Sequence, residues 1–254
     1  MAFRSCLAVP ATNEHLISKA AESPADQVLI DLEDSVPASD KQAARDCVRA
    51  VLDRVDFGSR AVTIRVNSVD SGLLTRDVVD LVGACADRLY SVVVPKVRTP
   101  AELRYVDQLI RDVTAEAGRA DAVRIDVLLE TAGGLADAHR ILHASARVGA
   151  AVFGINGYVA ELGLDLTHGA DDNDLTGWSV PTGVLGWALG QVANAAAACG
   201  LRAFAGPSRE RRDEAAYIAE TAYLRRAGYS GRWCIHPTQV EWTNEVFSVA
   251  HDEA

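Results

Sequence analysis

The sequence predicts an α/β fold, a (β/α)8 TIM-type barrel, built as one domain over residues 1–254. Three observations predict it. Eight short β-rich runs are spread along the chain, most of them continuously apolar rather than alternating, as parallel strands covered on both faces should be. Segments with helical periodicity fill the gaps between them. The chain has 254 residues, close to the roughly 250 residues of a typical barrel of this kind. An open doubly wound sheet is the main competing architecture, but no GxGxxG follows the first strand, which weakens a dinucleotide-binding reading.

In chain order the expected strands are Ser5–Val9, Gln27–Leu32, Ala61–Val66, Tyr90–Val94, Ala122–Leu129, Ala150–Gly154, Arg202–Ala205 and Arg232–Ile235. The expected helices are Glu14–Ala21, Asp40–Leu52, Thr75–Ala86, Pro100–Ala117, Gly134–Ala146, Pro181–Cys199 and Arg211–Ala227. Pro100 and Pro181 suit a first helical turn, and Thr99 is a good N-cap before Pro100. Gly118, Gly200 and Gly228 stand where C-cap glycines belong. The stretch from Gly157 to Trp178 reads as the longest irregular loop, and long loops in compact domains are often functional. Its acidic run, Asp171 to Asp174, equally suits a solvated surface, and no glutamate follows at the spacing of an EF-hand.

Composition removes several function classes. The formal charge is −10, which argues against non-specific binding of nucleic acid or an anionic membrane. An anionic substrate would have to be held locally, by a few cations or helix N-termini. The five cysteines are odd in number and include no CxxC pair, so neither a disulfide framework nor a zinc ribbon is indicated, and reduced thiols in a cytoplasmic protein are expected. The first residues, MAFRSCLAVPATNEHL, lack the apolar core of a signal peptide. The most apolar stretch, Val180 to Cys199, carries Gly, Pro, Gln and Asn and reads as a packed helix, not a membrane span.

In such a barrel, active-site residues stand at the C-terminal ends of the strands. That rule selects Asp31, Glu33 and Asp34 after the second strand, Arg65 and Asn67 at the third, and Lys96 after the fourth. It also selects Glu130 after the fifth, the run Gly154 to Gly157 after the sixth, and Gly206 and His236 at the last two. Carboxylates and cations would converge in one mouth, as an enzyme for anionic substrates requires. Arg65 could clamp a substrate carboxylate with its guanidinium fork, or pair with Asp31 or Glu33. Glu130 ends the apolar run VLLE, where a carboxylate needs a cation, a metal or a substrate. Lys96 could hold substrate, form a Schiff base if desolvated, or pair with a neighbouring glutamate. His139 and His143 read HRILH, without the glutamate of HExxH, so a helix-surface pair is expected. His236 reads as a packed or hydrogen-bonded residue rather than a ligand. No GxSxG or Walker A pattern occurs.

The segments RSCLAVPATNEHLISKAAESPADQVLIDLEDSV, IRVNS, VVVPKV, LLETAGG, VFGINGYVAELG and GYSGRWCIHPTQV resemble, in this order, the motifs of citrate lyase β-subunit-like proteins of the HpcH/HpaI aldolase/citrate lyase superfamily. The resemblance covers almost the whole chain and implies a TIM-type barrel, usually a homo-oligomer and often a homotrimer. It implies Mg²⁺-assisted carbon–carbon lyase or aldolase chemistry on an acyl-thioester such as citryl-CoA or malyl-CoA. Arg65 takes the place of the arginine that binds a substrate carboxylate, Glu130 that of a Mg²⁺ ligand, and Glu33 and Asp34 that of acidic residues near the site.

One departure stands out. The second metal carboxylate of the family pattern, an aspartate, is Gly157 here. Asn156 could offer a neutral oxygen in its place, and Glu161 could do so only if the loop is rebuilt. The chain also stops soon after IHPTQV and a short helix, so the longer C-terminal lid segment of some relatives is expected to be missing. Three readings follow: a lyase with an altered metal site, a non-catalytic binder of an organic acid or acyl-thioester, or a different reaction within the same barrel.

Overall fold

The computed structural model describes residues 3–119, 123–164, 183–208 and 210–248. Eight parallel strands close into a barrel in sequence order: β1 (Ser5–Pro10), β2 (Gln27–Asp31), β3 (Ala61–Arg65), β4 (Ser91–Val94), β5 (Arg124–Leu129), β6 (Val148–Phe153), β7 (Arg202–Ala205) and β8 (Gly231–Cys234). β8 pairs back onto β1, so the closed barrel replaces the open-sheet alternative. β7 has the expected bounds, and the other strands differ from expectation by one or two residues at one or both ends.

The helices are α1 (Glu14–Glu22), α2 (Lys41–Arg54), α3 (Leu74–Asp77), α4 (Gly83–Cys85), α5 (Pro100–Glu116), α6 (Ala132–Ala136), α7 (Ala138–Leu142), α8 (Ile155–Glu161), α9 (Gly183–Ala198), α10 (Glu214–Arg226) and α11 (Pro237–Ser248). Thr99 caps α5 by accepting from the Glu102 amide at 3.2 Å. Gly118, Gly200 and Gly228 adopt the positive φ of helix-ending glycines.

Three helix expectations are corrected. The helix expected over 75–86 carries a π-helical stretch at Val78–Val82 between α3 and α4. The helix expected over 134–146 is two short ones, broken at Asp137, whose ψ of 13° leaves the helical range. Part of the presumed loop after β6 is α8, because Ile155 and Tyr158, three residues apart, both turn into the core. The acidic run at 171–174 and Pro181 lie outside the described residues.

The strands are apolar on both faces because two cores press on them. Val28, Ile30, Ile64, Val92, Val94, Val127 and Leu129 face the helices. The alternate residues, among them Leu29, Val93, Leu128, Val152, Phe204 and Trp233, fill the barrel interior. Above this inner plug lie the C-terminal strand ends. Below it Gln27, Thr63, Ser91 and Asp126 form a polar layer joined by hydrogen bonds.

Candidate active site

Parallel register builds the site. Asp31 and Arg65 are Cα partners across β2 and β3, and inward alternation turns both side chains into the barrel mouth. Arg65 Nε donates to Asp31 Oδ1 at 2.6 Å and Nη2 to Oδ2 at 2.7 Å, a two-pronged pair. Nη1 lies 3.1 Å from Glu33 Oε2. Burial works against the charges, but the hydrogen bond and charge of Arg65 hold Asp31 below the usual carboxylate range. Arg65 itself is held protonated, Asp31 and Glu33 outweighing its burial.

Asp31 also shapes the loop that carries the next two carboxylates. Its oxygens accept the amides of Glu33 at 2.9 Å and Ser35 at 3.1 Å. From below, Lys41 Nζ donates to the carbonyls of Leu32 and Glu33 at 2.6 and 2.7 Å. Glu33 is thereby buried while Asp34 stays exposed at the mouth. Lys96 bridges them, its Nζ 2.6 Å from Glu33 Oε1 and 3.1 Å from Asp34 Oδ1. Burial would lower the lysine's affinity for its proton, but these carboxylates reverse that and raise it. A protonated, ion-paired amine is not poised to form a Schiff base.

Lys96 also has a positive φ of 55°, uncommon for a residue with a side chain. This turn directs its amide to Glu130 Oε1 at 3.2 Å. Glu130 is buried, and its Oε2 receives no hydrogen bond from the described residues. Burial first, and then the charge of Glu33, push its pKa up to about 7. The carboxylate lies against two glycines. A Cβ at Gly157 would come within 2.3 Å of Oε2, and one at Gly154 within 2.6 Å of the Glu130 Cβ. Gly157 therefore leaves the space that the Glu130 carboxylate fills.

Asp31, Asp34, Arg65, Glu130, Asn156 and Gly157 line one cavity of about 470 Å³, floored by Leu29, Leu128 and Trp233. Arg65 and Glu130 thus share a pocket, as the strand-end rule expects. Glu33 and Lys96 stand behind its wall as ion-pair partners. Glu161 does not reach in: its carboxylate accepts the Ala132 amide at 3.2 Å, at the start of α6. His139 and His143 stack with ring centres 6.0 Å apart, and His236 bonds Thr238. Both findings agree with their structural readings. Trp233 was not among the residues picked from the sequence, although alternation along β8 beside Ile235 was the available signal.

The profile of the HpcH/HpaI aldolase/citrate lyase family matches residues 4–237. The chain belongs to this family. An L-malyl-CoA/beta-methylmalyl-CoA lyase of Cereibacter sphaeroides is 33% identical over 247 residues, covering 94% of this chain and 77% of that protein. A (3S)-malyl-CoA thioesterase of the same species is 34% identical over 251 residues, covering 99% and 79%. Among solved structures, the Mycobacterium tuberculosis citrate lyase beta subunit complexed with oxaloacetate and magnesium superposes with a TM-score of 0.78 at 25% identity, covering 97% of each chain.

The donor set can be tested for a magnesium ion. Among the described residues no group of three or more His, Cys, Asp or Glu is poised around one point. Among the described residues, buried Glu130 offers the cavity a carboxylate oxygen, Oε2, that accepts no hydrogen bond. Magnesium is commonly held by one or two carboxylates together with waters and substrate oxygens. The pocket therefore fits an ion held by a single protein carboxylate.

Proposed function

We propose that this protein is a carbon–carbon lyase acting on the CoA thioester of a small hydroxy acid of the malyl-CoA or citryl-CoA type. The observation that carries the reading is the shared pocket, with the Arg65 cation and the buried Glu130 carboxylate at one barrel mouth in a chain of this family. In cleavage the substrate hydroxyl gives up its proton. The bond between the carbinol carbon and the thioester α-carbon breaks, and its electron pair passes to the α-carbon as an enolate. A proton added there yields an acyl-CoA and a 2-oxo acid.

Arg65 is assigned to the carboxylate of the acid half. Two of its nitrogens are fixed by Asp31, so it is oriented before substrate arrives, which is a positioning effect. Asp34, exposed at the mouth and lining the cavity, is assigned the proton transfers. Glu33 and Lys96 hold the loop and the charge balance around it. Glu130, with Asn156 beside it in the lining, would hold Mg²⁺, which would supply Lewis-acid polarisation of substrate oxygens.

We also propose a cytoplasmic homo-oligomer, with a trimer favoured. Free cysteines support the location, and no helix among the described residues is long and apolar enough to cross a membrane. The oligomer rests on the family resemblance.

A second reading is hydrolysis of the thioester itself, favoured by the relative named a malyl-CoA thioesterase. Product analysis separates the two. Purified protein with Mg²⁺ and malyl-CoA or citramalyl-CoA is expected to release a 2-oxo acid together with acetyl-CoA. Free CoA with intact hydroxy acid would establish the hydrolase instead, and no turnover of any such thioester would overturn both.

A further inference from the structure

The barrel interior holds two cavities, one above the other. The upper is the candidate site. The lower, about 180 Å³, is bounded by Cys6, Thr63, Asp126, Ala150 and Phe204. Among the described residues Trp233 is the one side chain common to both linings. It is 5% exposed, and its ring lies under the Arg65 guanidinium, 5.8 Å from ring centre to Cζ. That distance suits a cation–π contact. The plug between the cavities is shared: Leu29 and Leu128 line the upper space, Val93, Val152 and Phe204 line the lower one, and the indole reaches both.

We propose that Trp233 is a specificity-determining residue, the floor that limits the size of the substituent on the acid half of the substrate. This rests on the lyase reading above. With its carboxylate on the outer N–H groups of Arg65, a 2-oxo acid directs its remaining substituent down onto Leu29, Leu128 and Trp233. That surface is apolar and carries no cation, so it receives hydrogen or a short alkyl group. A longer chain meets the indole. Shortening residue 233 trims the one described side chain that lines both spaces and so makes room for added carbons under the upper one. One methylene in an apolar pocket discriminates between substrates by roughly 10- to 200-fold, so the effect is large enough to measure.

The test compares wild type, Trp233→Phe and Trp233→Leu in condensation of acetyl-CoA with glyoxylate, pyruvate, 2-oxobutanoate and 2-oxopentanoate. In that direction the α-carbon loses a proton, bonds to the oxo carbon, and the oxygen gains a proton. The expected result is a shift of the preferred acid towards longer chains, by about tenfold in relative kcat/KM per carbon, larger for Leu than for Phe. An unchanged order of preference with a uniform loss of rate overturns the proposal, because a purely structural tryptophan would give that. Calorimetric binding of the same four acids, without acetyl-CoA, reads the floor independently of turnover. If wild type condenses none of them but Trp233→Leu moves the binding order to longer acids, the lyase reading fails and the floor stands. If the Leu variant does not fold, the Phe variant carries the same comparison, and an unshifted order there also overturns the proposal.

Discussion

Glu130 occupies a position of tension. One oxygen accepts the Lys96 amide and the other meets no donor among the described residues, in a site buried enough to push its pKa up to about 7. The folded carboxyl binds its proton more tightly than an unfolded one near 4.5. Stability is therefore greatest below the unfolded value and is lost as pH rises towards 7. Glu130→Gln is expected to raise the stability of metal-free protein at pH 8 by up to about 3 kcal/mol. Urea unfolding in a chelator would measure it, and an equally large gain at pH 4 would contradict the assignment. Arg65 and Glu130 could be picked from the sequence because apolar runs that end in charge mark strand ends. The pairing of Arg65 with Asp31 could be named only as an option. Register decides which inward residues face each other, and it emerges only when the barrel closes. Gly157 was visible as a departure, but its consequence, space for the carboxylate of Glu130, is a distance that spacing along the chain does not contain.

At the scale of elements, the seam between α10 and β8 positions the floor of the site. Arg232 precedes Trp233 and points out of the barrel to Glu220 of α10, at 2.7 Å. It also meets Thr221 at 2.8 Å and lies over the Tyr217 ring at 4.7 Å. Arg232 is 1% exposed. Removing one member of such a buried pair leaves an uncompensated charge, so Glu220→Ala is expected to cost about 3–5 kcal/mol in thermal or urea unfolding. The paired replacement Glu220→Leu with Arg232→Met should recover most of that loss. If the double variant is no more stable than the single one, the seam is not held this way. The strands were legible because both faces are buried and the runs are apolar throughout. The break at Asp137 and the π stretch at Val78–Val82 were not, because both keep the apolar periodicity that marks a continuous helix.

For the whole molecule, the barrel stacks a charged mouth, an apolar plug and a buried polar layer. Asp126 anchors the lowest layer, accepting from Ser91 at 2.6 Å. Burial raises its pKa to about 6, partly offset by the Ser91 hydrogen bond and by the charge of Arg124. The folded state thus holds this proton after the unfolded chain has released it, and stability falls as pH rises from about 4 to 6. Asp126→Asn is expected to flatten the difference between pH 4 and pH 6 by roughly 2–3 kcal/mol in chemical unfolding, while leaving lyase activity at the opposite end of the barrel unchanged. An unaltered pH profile would show that Asp126 ionises as freely in the fold as outside it. The fold class was legible from the count of strand and helix segments. The layering of the lumen was not, because it depends on which small residues meet across the barrel.

The central claim is that Arg65 and Glu130 act on one bound thioester from the same pocket. Its most direct test is the steady-state cleavage of malyl-CoA, with Mg²⁺ present, by wild type, Arg65→Lys and Glu130→Gln, each checked for an intact unfolding transition. Both variants are predicted to stay folded and to lose about 100-fold or more in kcat/KM. A folded variant of either kind that turns over at the wild-type rate would contradict the account.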